Sequence, residues 1–209
     1  MTGSDFIDHL RALRDGTPAG ARKVVAIAGA PASGKSTLAE AAVAALNAGE
    51  PGSAALLPMD GYHFDDEVLV PRGWRPRKGA PHTFDVGGYA AMLRRLRANA
   101  EAEVAVPRFD RSIEIARAGA LLIPQSARIV VTEGNYLLLD EAPWTALAPL
   151  YDLTAMVAVP EAELARRLRA RWVHFGLDED GIRQKLEEND LPNGRMIVAR
   201  SRRADIKIT

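Results

Sequence analysis

The sequence contains no cysteine. A disulfide scaffold, thiol catalysis and a cysteine-based zinc site are therefore excluded. It has no apolar run approaching the ~18 residues of a membrane span. Its opening residues do not read as a signal peptide, so the cytoplasm is the expected compartment. Net charge is missing too: 27 Lys and Arg balance 27 Asp and Glu. No global attraction to nucleic acid follows, and neither nucleic acid nor a membrane is an expected partner. Lysine is scarce, 5 against 22 arginines, a skew that a GC-rich genome produces on its own.

What is present suits a globular chain. With 209 residues, 47% of them hydrophobic, it is long enough for one domain with a sizeable core and a small insertion. Residues 4–14 place Phe6, Ile7, Leu10 and Leu13 at helical spacing, with Ser4 as the N-cap. The apolar runs 24–28, 54–59, 128–132 and 153–159 read as buried strands, and 205–208 as a last one. Segments 36–46, 88–100, 161–175, 178–188 and 192–203 read as helices. Between them, 61–87 is rich in Gly, Pro and aromatics and has no period. Residues 104–106 and 113–115 are expected to form a small antiparallel pair. Buried strands alternating with helices predict an α/β fold on a mainly parallel sheet. Ligands of such sheets bind at the carboxyl ends of the strands.

One loop at such an end carries a specific signal. Gly29-Ala30-Pro31-Ala32-Ser33-Gly34-Lys35-Ser36 matches G-x-x-x-x-G-K-[ST] in full, between the strand VVAIA and the helix former STLAEAAVAAL. The glycines let the backbone curl so that several N–H groups converge on phosphate oxygens. The helix beginning near Gly34 adds its positive end. Lys35 can reach the β- and γ-phosphates, and the Ser36 hydroxyl can sit on Mg²⁺. Gly29, Ala30, Ala32, Ser33, Gly34, Lys35, Ser36 and Thr37 are thus the expected nucleotide-phosphate residues.

Two acids end neighbouring strands. Asp60 follows Leu57-Pro58-Met59, where it points to the ligand crevice and can accept a proton from an attacking hydroxyl. Its alternative is to cap the turn before Gly61. Glu133 ends Ile129-Val130-Val131-Thr132 and can join Ser36 at the metal. Mg²⁺ keeps several waters and needs few protein ligands.

These residues, with MDGYHFDDEVL, RGWRPRKGAPHTFDVGGY, VPRFDRSIE, VTEGNYLLL and ENDLPNG, resemble the phosphoribulokinase, uridine kinase and pantothenate kinase superfamily of P-loop kinases. The likeness spans roughly residues 22–208. It is nearest to bacterial proteins described as fructose transport system kinases. It implies a P-loop kinase fold over the whole chain, a substrate-side insertion at about 60–123 and a helical lid at about 161–190. It implies a small-molecule hydroxyl as acceptor, a sugar such as fructose by that likeness. Asp60 becomes the base, Ser36 and Glu133 the metal residues, and Arg169 the lid arginine on the phosphates.

The remaining candidates surround the acceptor. His63 is close enough in sequence to Asp60 to reach a substrate hydroxyl or to orient the acid. Tyr62 and Phe64 are either a substrate wall or core. Arg72, Arg75, Arg77 and Lys78 suit an anionic group or a solvated loop. Arg108 and Asp110 can bind a polyol, one donating and the other accepting, or form a surface ion pair. In the lid, Arg166, Arg167, Arg169 and Arg171 cannot all face one phosphate, because successive helical residues turn by ~100°. Gly176 is a candidate hinge.

The expected activity is phosphoryl transfer from ATP to a sugar-like hydroxyl. A nucleoside, a pantothenate-like acid, or nucleotide binding without transfer are the alternatives. No N-K-x-D guanine element occurs, which counts against a GTPase switch. The apolar face of the first helix is expected to pack on its own domain or on a second copy in a homodimer.

Overall fold

The computed structural model describes all 209 residues. Helix α1 (Gly3–Asp15) starts two residues earlier than Ser4 suggests. Thr2 is the cap: its hydroxyl accepts from Asp5 N–H while the Asp5 carboxylate accepts from Thr2 N–H. Strand β1 (Lys23–Gly29) follows, and the loop after it leads into α2 (Lys35–Gly49). Strand β2 (Ala54–Pro58) ends in a tight turn over Met59–Tyr62. The aperiodic region holds a short α3 (Asp66–Leu69) before α4 (Val86–Ala98). Then come β3 (Glu103–Asp110), β4 (Ile115–Pro124), β5 (Ile129–Gly134) and β6 (Leu153–Val157). Helices α5 (Glu161–His174), α6 (Glu179–Lys185) and α7 (Leu191–Arg200) precede β7 (Ile206–Ile208). A π-helical turn, Leu186–Asp190, joins α6 to α7.

Five strands form a parallel sheet in the order β2-β5-β1-β6-β7. The central strand explains its own apolar run, because both of its faces are buried. Val25 and Ile27 face α1 and α2 and pack with Phe6, Leu10, Ala42 and Leu46. Val24, Ala26 and Ala28 alternate to the other face, with Tyr89, Leu93, Leu96 and Trp144. Phe6 and Leu10 are fully buried, so α1 spends its apolar stripe inside its own chain.

Strands β3 and β4 form a separate antiparallel hairpin. Its register differs from the expected one. Val104 pairs with Ile123 and Val106 with Leu121, while Ile113 lies exposed on the turn. The hairpin stands largely in solvent, so β4 has no clean alternation to read. The register shifts at Pro107, which has no N–H to give to the ladder. Its base is pinned by buried Arg22, which donates to the carbonyls of Leu96, Pro124 and Ala127.

The register of the sheet brings three strand ends together. Ile27 and Pro58 both pair with Glu133, and Ala28 pairs with Gly134. The phosphate loop, the Asp60 turn and the Glu133 end are therefore neighbours.

Candidate active site

The loop after β1 takes the shape its sequence demands. Ala32 and Gly34 have positive φ, +62° and +93°, so the backbone coils into a concave nest before α2. At Gly34 that conformation is cheap, since there is no Cβ to clash. Gly29 is required for a different reason: a Cβ there would lie 2.5 Å from Ser33 Oγ. Lys35 is the first residue of α2, so its ammonium and the helix's positive end act from one place. Lys35, Ser36, Thr37 and Ala32 line a cleft of about 650 Å³. Ala30 and Ser33 are buried behind the loop and do not line it.

Ser36 Oγ donates to Glu133 Oε2 at 2.9 Å. Glu133 is nearly buried, and burial pushes its carboxyl up against the opposing pull of Lys35. Burial also pushes the Lys35 ammonium down, opposed by Glu133 and Asp60. Burial thus disfavours both charges, and each supports the other. No group of three or more His, Cys, Asp or Glu could hold a metal. A hydroxyl beside a carboxylate is instead a two-oxygen set of hard donors, which fits Mg²⁺ with its retained waters.

Asp60 lines the same cleft from the turn after β2. Its Oδ2 accepts from Arg111 Nη2 at 2.7 Å. Burial raises its pKa, but His63, protonated in the acid range where this carboxyl titrates, outweighs burial together with Arg111, Lys35 and Arg171 and holds the carboxyl below its ordinary value. It is therefore ionised at neutral pH. The turn approaches the hairpin so closely that a Cβ on Gly61 would lie 2.5 Å from the Pro107 carbonyl oxygen. His63 lies between Phe84 and Phe109, with ring centroids 4.0 and 4.8 Å away. Its Nδ1 is 2.8 Å from the Asp60 carbonyl oxygen. That oxygen can only accept, so Nδ1 carries the proton. Burial lowers the ring's pKa, and the neutral ring keeps an Nε2 lone pair.

Four expected site residues lie elsewhere. Tyr62 is 9% exposed and packs edge-on to Tyr89 in the core, with centroids 5.0 Å apart. The tight turn sends Asp60 and His63 to the cleft and Tyr62 to the opposite side. Arg169 pairs with Glu179 at 2.6 Å and does not line the cleft. Arg167 and Arg171 line it instead. They are one helical turn apart, whereas Arg169 lies ~200° around the helix from each. Arg167 also donates to the carbonyls of Ala32 and Ser33, tying α5 to the phosphate loop. Arg108 and Asp110 line a second depression of about 850 Å³ between the hairpin and β2, which also reaches Asp60. There Asp110 binds Arg117 and Ser112, which hold its carboxyl down at about 2.

Other cleft residues are marked only as parts of the stretches VTEGNYLLL and ENDLPNG, with no role of their own. Asn135, Asn189, Asp190 and Asn193 line it, the last three from the π-helical turn and the start of α7. Asp190 accepts from Trp172 Nε1 at 2.7 Å, and burial raises its carboxyl. The Asn135 and Asn193 side-chain oxygens are buried without a partner. Within the basic loop, Arg75 and Lys78 reach the cleft, while Arg72 and Arg77 do not. Gly176 has φ +76° between α5 and α6, a backbone conformation that favours glycine. No helix is long and apolar enough to cross a membrane.

Compared with models of protein families, the chain matches none. Individual proteins do match. A Schizosaccharomyces pombe protein named a "putative uridine kinase" is 33% identical over 181 residues, 82% of this chain and 76% of that protein. The uncharacterized protein YggC of Escherichia coli is 34% identical over 186 residues, 88% and 76% of the two chains. A crystal structure of a "putative fructose transport system kinase" from Silicibacter sp. TM1040 superposes with a TM-score of 0.90, at 40% identity, over 100% of both chains. With the phosphate loop, the parallel sheet and the two strand-end acids in place, this chain belongs to the phosphoribulokinase and uridine kinase superfamily of P-loop kinases.

Proposed function

We propose that the protein transfers the γ-phosphoryl group of ATP, with Mg²⁺, to a hydroxyl of a small sugar-like acceptor. The observation that carries this reading is the shared cleft: Lys35, Ser36 and Asp60 line one cavity, with Glu133 bonded to Ser36. The backbone nest and the start of α2 bind the phosphates. Lys35 and Arg171 offset the charge on the transferring group. Mg²⁺ between Ser36 and Glu133 would neutralise phosphate charge and hold the phosphate oxygens in place. Asp60, ionised and beside the hydroxyl, accepts its proton as the oxygen bonds to phosphorus. The bond to the β,γ-bridging oxygen breaks, and ADP leaves. Arg167 and Arg171 close the cleft from α5, which excludes water from the transfer.

The acceptor space begins at Asp60 and is walled by His63, Phe84 and Phe109. Such a wall with one polar ring suits a polyol, whose C–H faces pack on aromatics. The relatives' names add fructose and uridine as acceptors to try. The test is ATP with Mg²⁺ and a panel of sugars, sugar acids, sugar phosphates, nucleosides and pantothenate. ADP formation stimulated by one acceptor, with a new phosphate-ester signal in phosphorus NMR, is the expected result. ATP binding with no acceptor-dependent ADP would contradict the transfer reading.

A further inference from the structure

The proposed base is not free. Asp60 Oδ2 is held by Arg111 at 2.7 Å, and Arg111 sits on the turn between β3 and β4, half exposed. The guanidinium stabilises the carboxylate and so weakens it as a base, although Oδ1 carries no hydrogen bond. A ligand that offers Arg111 a better partner would restore that basicity. A neutral sugar offers only dipoles. Charge-assisted hydrogen bonds are roughly twice as strong as neutral ones.

A second cation stands at the same place. Lys78 Nζ lies 5.6 Å from the Phe109 ring centroid, and the Arg111 guanidinium carbon 5.8 Å from it. The Lys78 side chain is only 8% exposed. Its partners are Asp66, itself shared with Arg75, and the Glu114 carbonyl. An ammonium has three donors and a guanidinium five, so each keeps N–H groups unspent. His63 packs on the same Phe109 ring and is neutral with an open Nε2, for the reasons given above. Around one aromatic ring the cleft therefore presents two cations with spare donors, one neutral acceptor nitrogen and one carboxylate base.

We propose that the acceptor is a polyhydroxylated acid, whose anionic group engages Arg111 and Lys78 and draws Arg111 off Asp60 while a neighbouring hydroxyl donates to His63 Nε2. Binding of the acid and release of the base are then one event. An acid-free molecule entering the cleft would leave Asp60 paired with Arg111 and the weaker base for it. This rests on the kinase reading above and narrows its acceptor class. A carboxylate and a phosphate monoester supply the same chemistry, and the experiment separates them.

The test is calorimetric binding to the wild-type protein saturated with Mg²⁺ and a non-hydrolysable ATP analogue. The probes are gluconate, fructose 6-phosphate and gluconate 6-phosphate, against fructose and glucose. At least one acid should bind tenfold or more tightly than the neutral sugars. Gluconate and fructose 6-phosphate show which anion is recognised. Arg111→Met should remove that preference, with binding of the ATP analogue unchanged. Unchanged analogue binding also shows that the variant is folded. Equal affinity for acids and neutral sugars, or no binding of any acid, overturns the proposal. Loss of analogue binding in Arg111→Met would place Arg111 on the nucleotide and also overturn it. Turnover separates the two readings: efficient transfer to a neutral sugar sinks the acid proposal alone. Charge-dependent acid binding without any transfer sinks the kinase reading instead.

Discussion

The two sides of the cleft are built by different means. The phosphate side is backbone: a nest between β1 and α2, closed by glycines, backed by strands that are buried on both faces. The acceptor side is side chains: Arg111, Lys78, His63 and Phe109, carried by an exposed hairpin and a loop without regular period. The first is fixed by the packing of the sheet. The second is held by ion pairs that a ligand can exchange. A backbone site suits a ligand that never changes, and an ion-paired site suits one that must be selected.

The sharpest break of this contrast is at Lys35, a side chain on which the phosphate side depends. Lys35→Met should lower turnover by about 10³-fold or more, since it removes a preorganised charge at the transferring group. Steady-state ADP formation checks it. The next is a paired test in the lid. Arg171→Ala should cost about 10²-fold or more in kcat, as loss of a phosphate-stabilising arginine does. Arg169→Ala, which breaks only the exposed pair with Glu179, should stay within about twofold. Reversal of that order would restore Arg169 to the phosphates.

A smaller effect separates the two sides by geometry. In Gly61→Ala the new Cβ meets the Pro107 carbonyl and must push the Asp60 turn from the hairpin. The expected outcome is a fall of about 10-fold to 10²-fold in kcat/KM for the acceptor, as misplacement of reacting groups costs. ATP affinity, measured by calorimetry, should change little. The smallest effect concerns the sheet both sides share. Asp152 accepts from Val24 N–H, Lys23 and Arg97, joining β1 to α4. Burial raises its carboxyl, but these partners outweigh burial and hold it below 3.8. A folded pKa below the unfolded one stabilises above the unfolded value and is lost as pH falls through the folded one. Asp152→Asn should therefore melt lower than wild type at pH 7, by differential scanning calorimetry. The gap should narrow below pH ~3.8.

The same contrast explains what the sequence revealed. The phosphate loop was legible because its chemistry requires fixed glycines, a lysine and a hydroxyl at fixed spacing. Asp60 and Glu133 were legible because they end strands whose apolar runs are unmistakable. The acceptor side was not, because its residues depend on phase and register. Arg169 and Arg171 are equivalent in composition, and only the rotation of α5 against the loop chooses between them. Tyr62 and His63 are adjacent, and one tight turn sends them to opposite sides. The hairpin's expected pairing failed because its strands face solvent and carry no alternation to align. Buried Arg22 gave no signal at all, since its partners are backbone carbonyls from three distant segments.

The most direct test of the account is Asp60→Asn, assayed in parallel for ATP binding and for acceptor phosphorylation. The account predicts that transfer falls by about 10²-fold to 10⁴-fold, the contribution of a positioned base. ATP affinity should remain within about twofold, because the phosphate side does not depend on that carboxylate. Full transfer in the variant would contradict the assignment of Asp60, and with it the division of the cleft into a binding side and a reacting side.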